Sequence, residues 1–268
     1  MSVKVAVHGA AGRMGQEVLK ALCAESDLEP VAGVDQGVAQ GLMPLPDSSV
    51  QVPFSSDTDS IFTQCQPQVV VDFSVAEATR ALVPVAARHR VNMVIGTTGL
   101  TQADLGEIEN LARSHDIGAV VAPNFALGAV VLIHLAKIAA RYFDHAEITE
   151  LHHHLKIDAP SGTAQATAKA MVEGRGRPFE YHRAQKETLK GTRGGEDGGI
   201  AIHSVRLPGL LAHQEVILGG PGQTLKLRHD TISRECFIPG VLLAVKEVIG
   251  RKGLVYGLDT LLGLSEPG

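Results

Sequence analysis

The chain has 268 residues, 44% hydrophobic and 20% charged, with a formal net charge of -5. That composition fits a globular protein with one large domain or two modest ones, and the mildly acidic balance offers no basic field to nucleic acid or a membrane surface. No apolar run approaches membrane-spanning length, the opening MSVKVAVHG shows no signal or transit pattern, and Cys23, Cys65 and Cys236 form neither a CxxC pair nor a disulfide frame. A cytoplasmic location is therefore expected, with no nucleic-acid or membrane partner.

The first half alternates between two patterns. Apolar runs of strand length occur at VKVAVHG, PVAGV, QVVVDFS, VNMVIGTTG and IGAVVAPN. Helical patterns lie between most of them, at RMGQEVLKALCAE, AEATRALVPVAARH and TQADLGEIENLARSH. Such alternation predicts βαβ units and a parallel sheet, and the continuously apolar strands predict helices on both faces. After about residue 125 the pattern changes. GAVVLIHLAKIAARYF predicts a long, largely buried helix, and HAEITELHHH, IAIHSVRL, QEVILGG and TLKLRHD predict antiparallel strands. GGPGQ is a turn, and GTRGGEDGG predicts a mobile Gly-rich loop. SRECFIPGVLLAVKEVIG predicts a final helix that packs back on the first domain. The expected fold class is α/β: a Rossmann-like doubly wound parallel sheet over 1–126, completed by 236–268, and a smaller α+β domain with a mixed or antiparallel sheet over 127–235, which would bind substrate and carry oligomer contacts.

VAVHGAAGRMG sets Gly9, Ala10, Ala11, Gly12, Arg13 and Met14 between the first strand and the first helix, with Gly15 just inside it. Glycines here allow a tight turn and close approach of a pyrophosphate, whose charge the helix N-terminus binds. The spacing is GxxGxxG rather than GxGxxG, so on its own it could be an ordinary strand-to-helix turn. Asp35, twenty residues beyond Gly15 at the end of the second strand, stands where a Rossmann domain keeps its ribose-binding carboxylate. Together they predict a bound dinucleotide. Asp35 favours NADH and Arg13 permits NADPH, which leaves the choice open. Gly96, Thr97 and Thr98 of GTTG, with Ala122, Pro123, Asn124 and Phe125 of APNF, follow later strands, and Phe125 could pack on a nicotinamide. Taken singly, each of these segments could be only a tight turn.

ELHHHLKIDAPSGTA, residues 150–164, concentrates the chemistry. As a zinc site it is weak: on a strand His152 and His154 share one face while His153 points away, and no HExxH or Cys cluster accompanies them. It could also be a solvated polar strand end. The reading that uses more residues makes His152 a proton donor and Lys156 a fixed positive charge or second acid. PSGTA then opens a helix whose Gly162 and Thr163 amides bind a carboxylate. No metal is expected.

The run from Glu147 to Ala164, EITELHHHLKIDAPSGTA, matches every fixed position of E-I-x-E-x-H-x-x-x-K-x-D-x-P-S-G-T-A, a pattern that resembles the signature of the 4-hydroxy-tetrahydrodipicolinate reductases, or dihydrodipicolinate reductases. GAAGRMG, VDFS, GTTG, APNF and the late SR are similar to this family as well. The resemblance implies NAD(P)H-dependent reduction of 4-hydroxy-tetrahydrodipicolinate in lysine and diaminopimelate biosynthesis. It implies His152 as proton donor or acceptor and Lys156 as second donor or electrostatic stabiliser. His153, Gly162 and Thr163 would hold the carboxylates of a small dicarboxylate. Gly9 to Met14, Asp35, Gly96 to Thr98 and Ala122 to Phe125 would hold NADPH or NADH. A homotetramer built through the second domain's sheet, with domain closure, is also implied. Two stretches depart from the family pattern: VRLPGLLAHQE from Val205 replaces an Arg-Gly-Gly run, and His154-Leu155 replaces an Arg-His pair. Gln36 stands where a basic residue sometimes follows Asp35.

Two other functions fit parts of the sequence. Another two-domain nicotinamide oxidoreductase would need a nucleophilic cysteine or a different base, and neither Cys65 nor Cys236 lies in a matching motif. A non-catalytic NAD(P)H sensor would need the glycine loop but not the His-Lys-SGT group.

Overall fold

A computed structural model describes residues 2–38, 40–46 and 49–264. The chain divides into two compact units, one of residues up to 126 together with 237 onward, the other of 127–236. Cys236 belongs to the second unit rather than opening the return segment, and its thiol lies 3.8 Å from the Thr231 hydroxyl.

In the first unit the elements run β1 (Val3–His8), α1 (Arg13–Ala24), β2 (Leu28–Val34), β3 (Gly41–Pro44), β4 (Gln51–Ser55), α2 (Thr58–Cys65), β5 (Val69–Asp72), α3 (Ala76–Arg88), β6 (Asn92–Ile95), α4 (Gln102–Ser114) and β7 (Gly118–Val121). They form an eight-stranded sheet of order β13-β7-β6-β5-β1-β2-β4-β3, in which β13 is the late strand Gly253–Tyr256. Every pairing is parallel except β3 with β4. The middle strands are buried on both faces: Val5 to Val7, Val69 to Val71, Met93 to Ile95 and Ala119 to Val121 are at most 3% exposed. This is why they read as unbroken apolar runs. The β3–β4 hairpin, α2 and β13 have no counterpart among the predicted elements. β3, β4 and β13 are four or five residues long and lie at or near sheet edges, where one apolar face suffices and the sequence signal is short.

The second unit runs α5 (Leu127–Ala139), a short 3-10 turn (Ala140–Tyr142), β8 (His145–His152), α6 (Gly162–Arg175), β9 (Gly195–Asp197), β10 (Ile200–Arg206), β11 (Ala212–Gly220) and β12 (Gln223–Thr231). Its sheet has the order β12-β11-β8-β10-β9. It is mixed rather than antiparallel throughout. The connection carrying α6 crosses over and returns β10 parallel to β8, whereas short turns make β11 and β12 antiparallel. Ala146 and Ile148 of β8 join Leu132, Ala136, Ala164, Ala168 and Met171 of the two helices in one core. With a side-chain period of two, Glu150 and His152 belong to that same helix-covered face. The predicted buried helix is α5, but it is not buried all round: Val131, Leu135 and Ile138 are about two-fifths exposed. GTRGGEDGG is more ordered than a mobile loop. It contains β9, and Arg193 is tied to Glu147 of β8.

The chain returns to the first unit through a 3-10 turn (Arg234–Phe237), then α7 (Ile238–Val248), β13 and α8 (Leu258–Leu261). Gly240 of α7 is required there: a Cβ would lie 2.2 Å from the Phe125 carbonyl oxygen.

Candidate active site

In the first unit, the strand order reverses beside β1: β2 lies on one side and β5, reached later in the chain, on the other. Crevices at such a reversal, beyond the carboxyl ends of the strands, bind ligands in open α/β sheets. Gly9 sits there with φ +78, and a Cβ on it would come within 2.6 Å of the Phe73 carbonyl oxygen. Gly15 lets α1 press on the loop, since a Cβ would fall 2.1 Å from the Gly9 carbonyl oxygen. The Gly9 and Ala10 amides bond to the Val34 carbonyl at 2.9 and 3.1 Å, which holds the loop on the end of β2.

Gly12 is the N-cap of α1, so it offers no capping side chain, and no acidic residue occupies the first turn. An anion could take that place. Arg13 is exposed beside it. Asp35 follows β2 directly and is part-buried. Its carboxylate accepts from the Ala11 amide and the Gln36 amide, both at 2.8 Å, which joins the end of β2 to the glycine loop. These features fit a dinucleotide: a glycine cradle that side chains would fill, an uncapped helix N-terminus and a carboxylate at the end of β2.

The later strand ends are built on a polar cluster that the sequence did not single out. Asp72, the last residue of β5, is fully buried and accepts from His8 Nδ1 at 2.7 Å. It also accepts from the Ser74 hydroxyl at 2.6 Å, the Ser74 amide at 3.1 Å, the Thr79 hydroxyl at 2.5 Å and the Thr97 hydroxyl at 3.0 Å. Burial works to raise this carboxyl, and the His8 and hydroxyl bonds outweigh it and hold it below its ordinary value. The cluster thereby locks the ends of β1, β5 and β6, with Thr97 of GTTG in it. VDFS was the available signal, because its aspartate ends an otherwise wholly apolar strand.

Phe125 is 1% exposed and packs on Phe73, centroids 5.7 Å apart, so its ring supports this region from beneath rather than presenting a face to a nicotinamide. Phe73 in turn abuts Gly96, where a Cβ would meet its ring at 2.2 Å. Thr98 and Pro123 are exposed, Ala122 is buried, and Asn124 accepts the Ala126 amide at 2.9 Å.

In the second unit the structure gathers the histidine stretch around the end of β8. The strand stops at His152, so His153 and His154 do not continue its alternation. They enter a turn closed by the Lys156 amide bonding to the His153 carbonyl at 3.1 Å. The turn brings Lys156 back, where its ammonium donates to Asp158 at 2.6 Å. That bond holds the Asp158 carboxyl below its ordinary value. His153 is exposed. Ser161 caps α6 by accepting the Ala164 amide at 3.2 Å, and Gly162 and Thr163 are the helix's first two residues. No acidic residue lies in that first turn, and a Cβ on Gly162 would meet nothing within 4 Å, so no side-chain carboxylate of the helix competes there and Gly162 leaves space beside it.

His152 is joined to Glu150 through Nδ1. Glu150 has no exposed surface, and Arg206 grips both of its oxygens, at 2.7 and 3.0 Å. Burial pushes this carboxyl up, but the bonds from His152 and Arg206 prevail and hold it at about 2. Neither Glu150 nor Arg206 had been assigned a role from the sequence. Of the two departures, VRLPGLLAHQE spans the end of β10, which carries this arginine, the turn after it and the start of β11. His154-Leu155 lies in the exposed turn after β8. Among the described residues no group of three or more His, Cys, Asp or Glu is placed to hold a metal ion, and no helix is long and apolar enough to cross a membrane.

Comparison with known proteins agrees over the whole chain. Residues 3–125 match the family model described as dihydrodipicolinate reductase, N-terminus, and residues 128–262 the model described as dihydrodipicolinate reductase, C-terminus. The chain is 55% identical over 262 residues to a 4-hydroxy-tetrahydrodipicolinate reductase of Dehalococcoides mccartyi, covering 98% of this chain and 99% of that one. It is 42% identical to the Bacillus subtilis protein of the same name, covering 97% and 98%. A dipicolinate-bound dihydrodipicolinate reductase from Paenisporosarcina sp. TG-14 superposes with a TM-score of 0.86 at 40% identity, covering 97% of this chain and 99% of that one.

Proposed function

The chain belongs to the dihydrodipicolinate reductase family and reduces 4-hydroxy-tetrahydrodipicolinate with NADH or NADPH in lysine and diaminopimelate biosynthesis, and we propose that His152 and Lys156 are the groups that carry the reaction on the protein side. The observation that supports this most directly is their setting. An imidazole and an ammonium flank one turn at the end of β8, in the same unit as a helix N-terminus with no acidic residue in its first turn.

The hydroxylated cyclic imine loses water, and the nicotinamide, when bound, would supply hydride to the unsaturated imine that results. Gly9 to Met14, Asp35, Gly96 to Thr98 and Ala122 to Phe125 would hold the dinucleotide, chiefly through backbone amides and the Asp35 carboxylate. His153, Gly162 and Thr163 hold the carboxylates of the substrate. Lys156 and the α6 N-terminus stabilise the negative charge that builds as the ring is reduced. His152 hands its Nε2 proton to the reduced ring and recovers a proton from solvent. In this reading the first unit serves the dinucleotide and the second the substrate.

The assembly would be a homotetramer formed through the second unit's sheet. The resemblance supports this, as does β12, a nine-residue strand at the edge of that sheet that leaves backbone groups available for pairing. A reducing cytoplasm suits the scattered Cys23, Cys65 and Cys236, which form no CxxC pair in the sequence.

The test follows NADH and NADPH oxidation by absorbance, with substrate generated in situ from pyruvate and aspartate semialdehyde. His152→Gln and Lys156→Ala should each lower turnover about 100-fold or more, the scale of general acid catalysis, with cofactor binding intact. Normal turnover in both would overturn the assignment.

A further inference from the structure

The arrangement behind His152 goes further than a proton donor at a strand end. We propose that Glu150 and Arg206 are positioning residues for the reaction: Glu150 fixes the orientation and tautomer of His152, and Arg206 fixes Glu150 while tethering the segment that holds Lys156. The inference rests on the reading of His152 as the proton donor.

The geometry is specific. Glu150 and His152 are two residues apart on one face of β8. The carboxylate reaches Nδ1, which leaves Nε2 as the nitrogen turned away from it. With an ionised carboxylate at Nδ1, that nitrogen keeps its hydrogen in both protonation states. When Nε2–H passes to the reduced ring, the imidazolium becomes a neutral imidazole with hydrogen on Nδ1. Its Nε2 lone pair is then ready to take the next proton from solvent. Protons and charge balance without a change at Glu150.

Glu150 can do this only if it stays ionised and still. It has no solvent exposure, so an unpaired carboxylate there would take up a proton. Arg206 prevents this with a two-point grip on both oxygens. Ser204 and Gln214 lie opposite Glu150 on the neighbouring strands β10 and β11, and Gln214 is itself held by donating to Thr167 of α6 at 2.8 Å. The same guanidinium donates to the Asp158 carbonyl at 2.7 Å, and the Asp158 side chain receives the Lys156 ammonium. One half-buried arginine therefore connects to both proposed reaction groups, to His152 through Glu150 and to Lys156 through the backbone of Asp158.

A double-mutant cycle separates positioning from mere stability. Glu150→Gln should lower kcat about 100-fold, with the KM for the dicarboxylate within about threefold, because tautomer control matters to proton transfer rather than to binding. In a His152→Gln background the same change should cost less than about twofold, since the group it acts through is gone. Arg206→Lys keeps the charge but loses the two-point grip, and should lower kcat about tenfold.

Nitrogen-15 spectra of the neutral imidazole should show hydrogen on Nδ1 of His152 in the unaltered protein and a mixture of tautomers in Glu150→Gln. If that variant does not fold, the spectrum and kcat of Arg206→Lys carry the test. Equal losses from Glu150→Gln in both backgrounds, unaltered kcat in Arg206→Lys, or hydrogen on Nε2 in the unaltered protein would overturn the proposal. Normal turnover in His152→Gln would instead overturn the reading beneath it.

Discussion

Asp72 offers the sharpest test of how the first unit is held together. Asp72→Asn keeps the shape of the side chain but removes its charge, and it turns an NH2 group toward hydroxyls that now donate to the carboxylate. The residue has no exposed surface and accepts from His8, Ser74, Thr79 and Thr97. Hydrogen bonds to a charged group contribute about 1.5–3 kcal/mol each, and losing one partner of a buried pair costs about 3–5 kcal/mol in all. With a urea dependence of about 2 kcal/mol/M, the unfolding midpoint should fall by roughly 1.5–2.5 M at neutral pH, followed by far-ultraviolet circular dichroism because the chain has no tryptophan.

The pH dependence sharpens the test. Because the folded Asp72 carboxyl lies below its ordinary value, its contribution is complete above the unfolded value of about 4 and is lost as pH falls through the folded value. The gap between the parent and Asp72→Asn should therefore narrow below about pH 4. A midpoint shift under about 0.3 M, or a gap that stays constant down to pH 3, would refute the view that this carboxylate, ionised, anchors the three strand ends.

Other perturbations probe the same two units. Gly15→Ala places a Cβ 2.1 Å from the Gly9 carbonyl, so the glycine loop must move. Overpacking of about 1–3 kcal/mol should raise the KM for NADH and NADPH alike by about fivefold or more, and unchanged values would show the loop to be adaptable. Asp35→Ala should weaken NADH more than NADPH by at least fivefold, about 1 kcal/mol for a lost hydrogen bond, read by fluorescence titration of each cofactor. Arg193→Ala removes the tie to Glu147 and should speed hydrogen exchange over residues 191–199 without changing that of β8.

Patterning alone carried much of this molecule. The middle strands of the large sheet read correctly because burial on both faces demands unbroken apolar runs, a demand visible in the order of residues. The proposed cofactor residues Gly9, Gly12 and Asp35 stood out because a tight strand-to-helix turn restricts backbone conformation and distance locally. The proposed His152, Lys156 and SGT helix start stood out because they lie within one stretch. The β3–β4 hairpin and β13 were not, since short edge strands carry little periodic signal. Nor could residue order reveal His8 beside Asp72, 64 positions apart, or Glu150 beside Arg206, 56 apart. Those pairs exist only because sheet register sets β1 against β5 and β10 against β8. Packing against Phe73 and Gly240 also gave Phe125 its buried place, and the crossover through α6 made β10 parallel. Local sequence determined which residues could do chemistry, while long-range strand pairing decided which buried charges stand behind them.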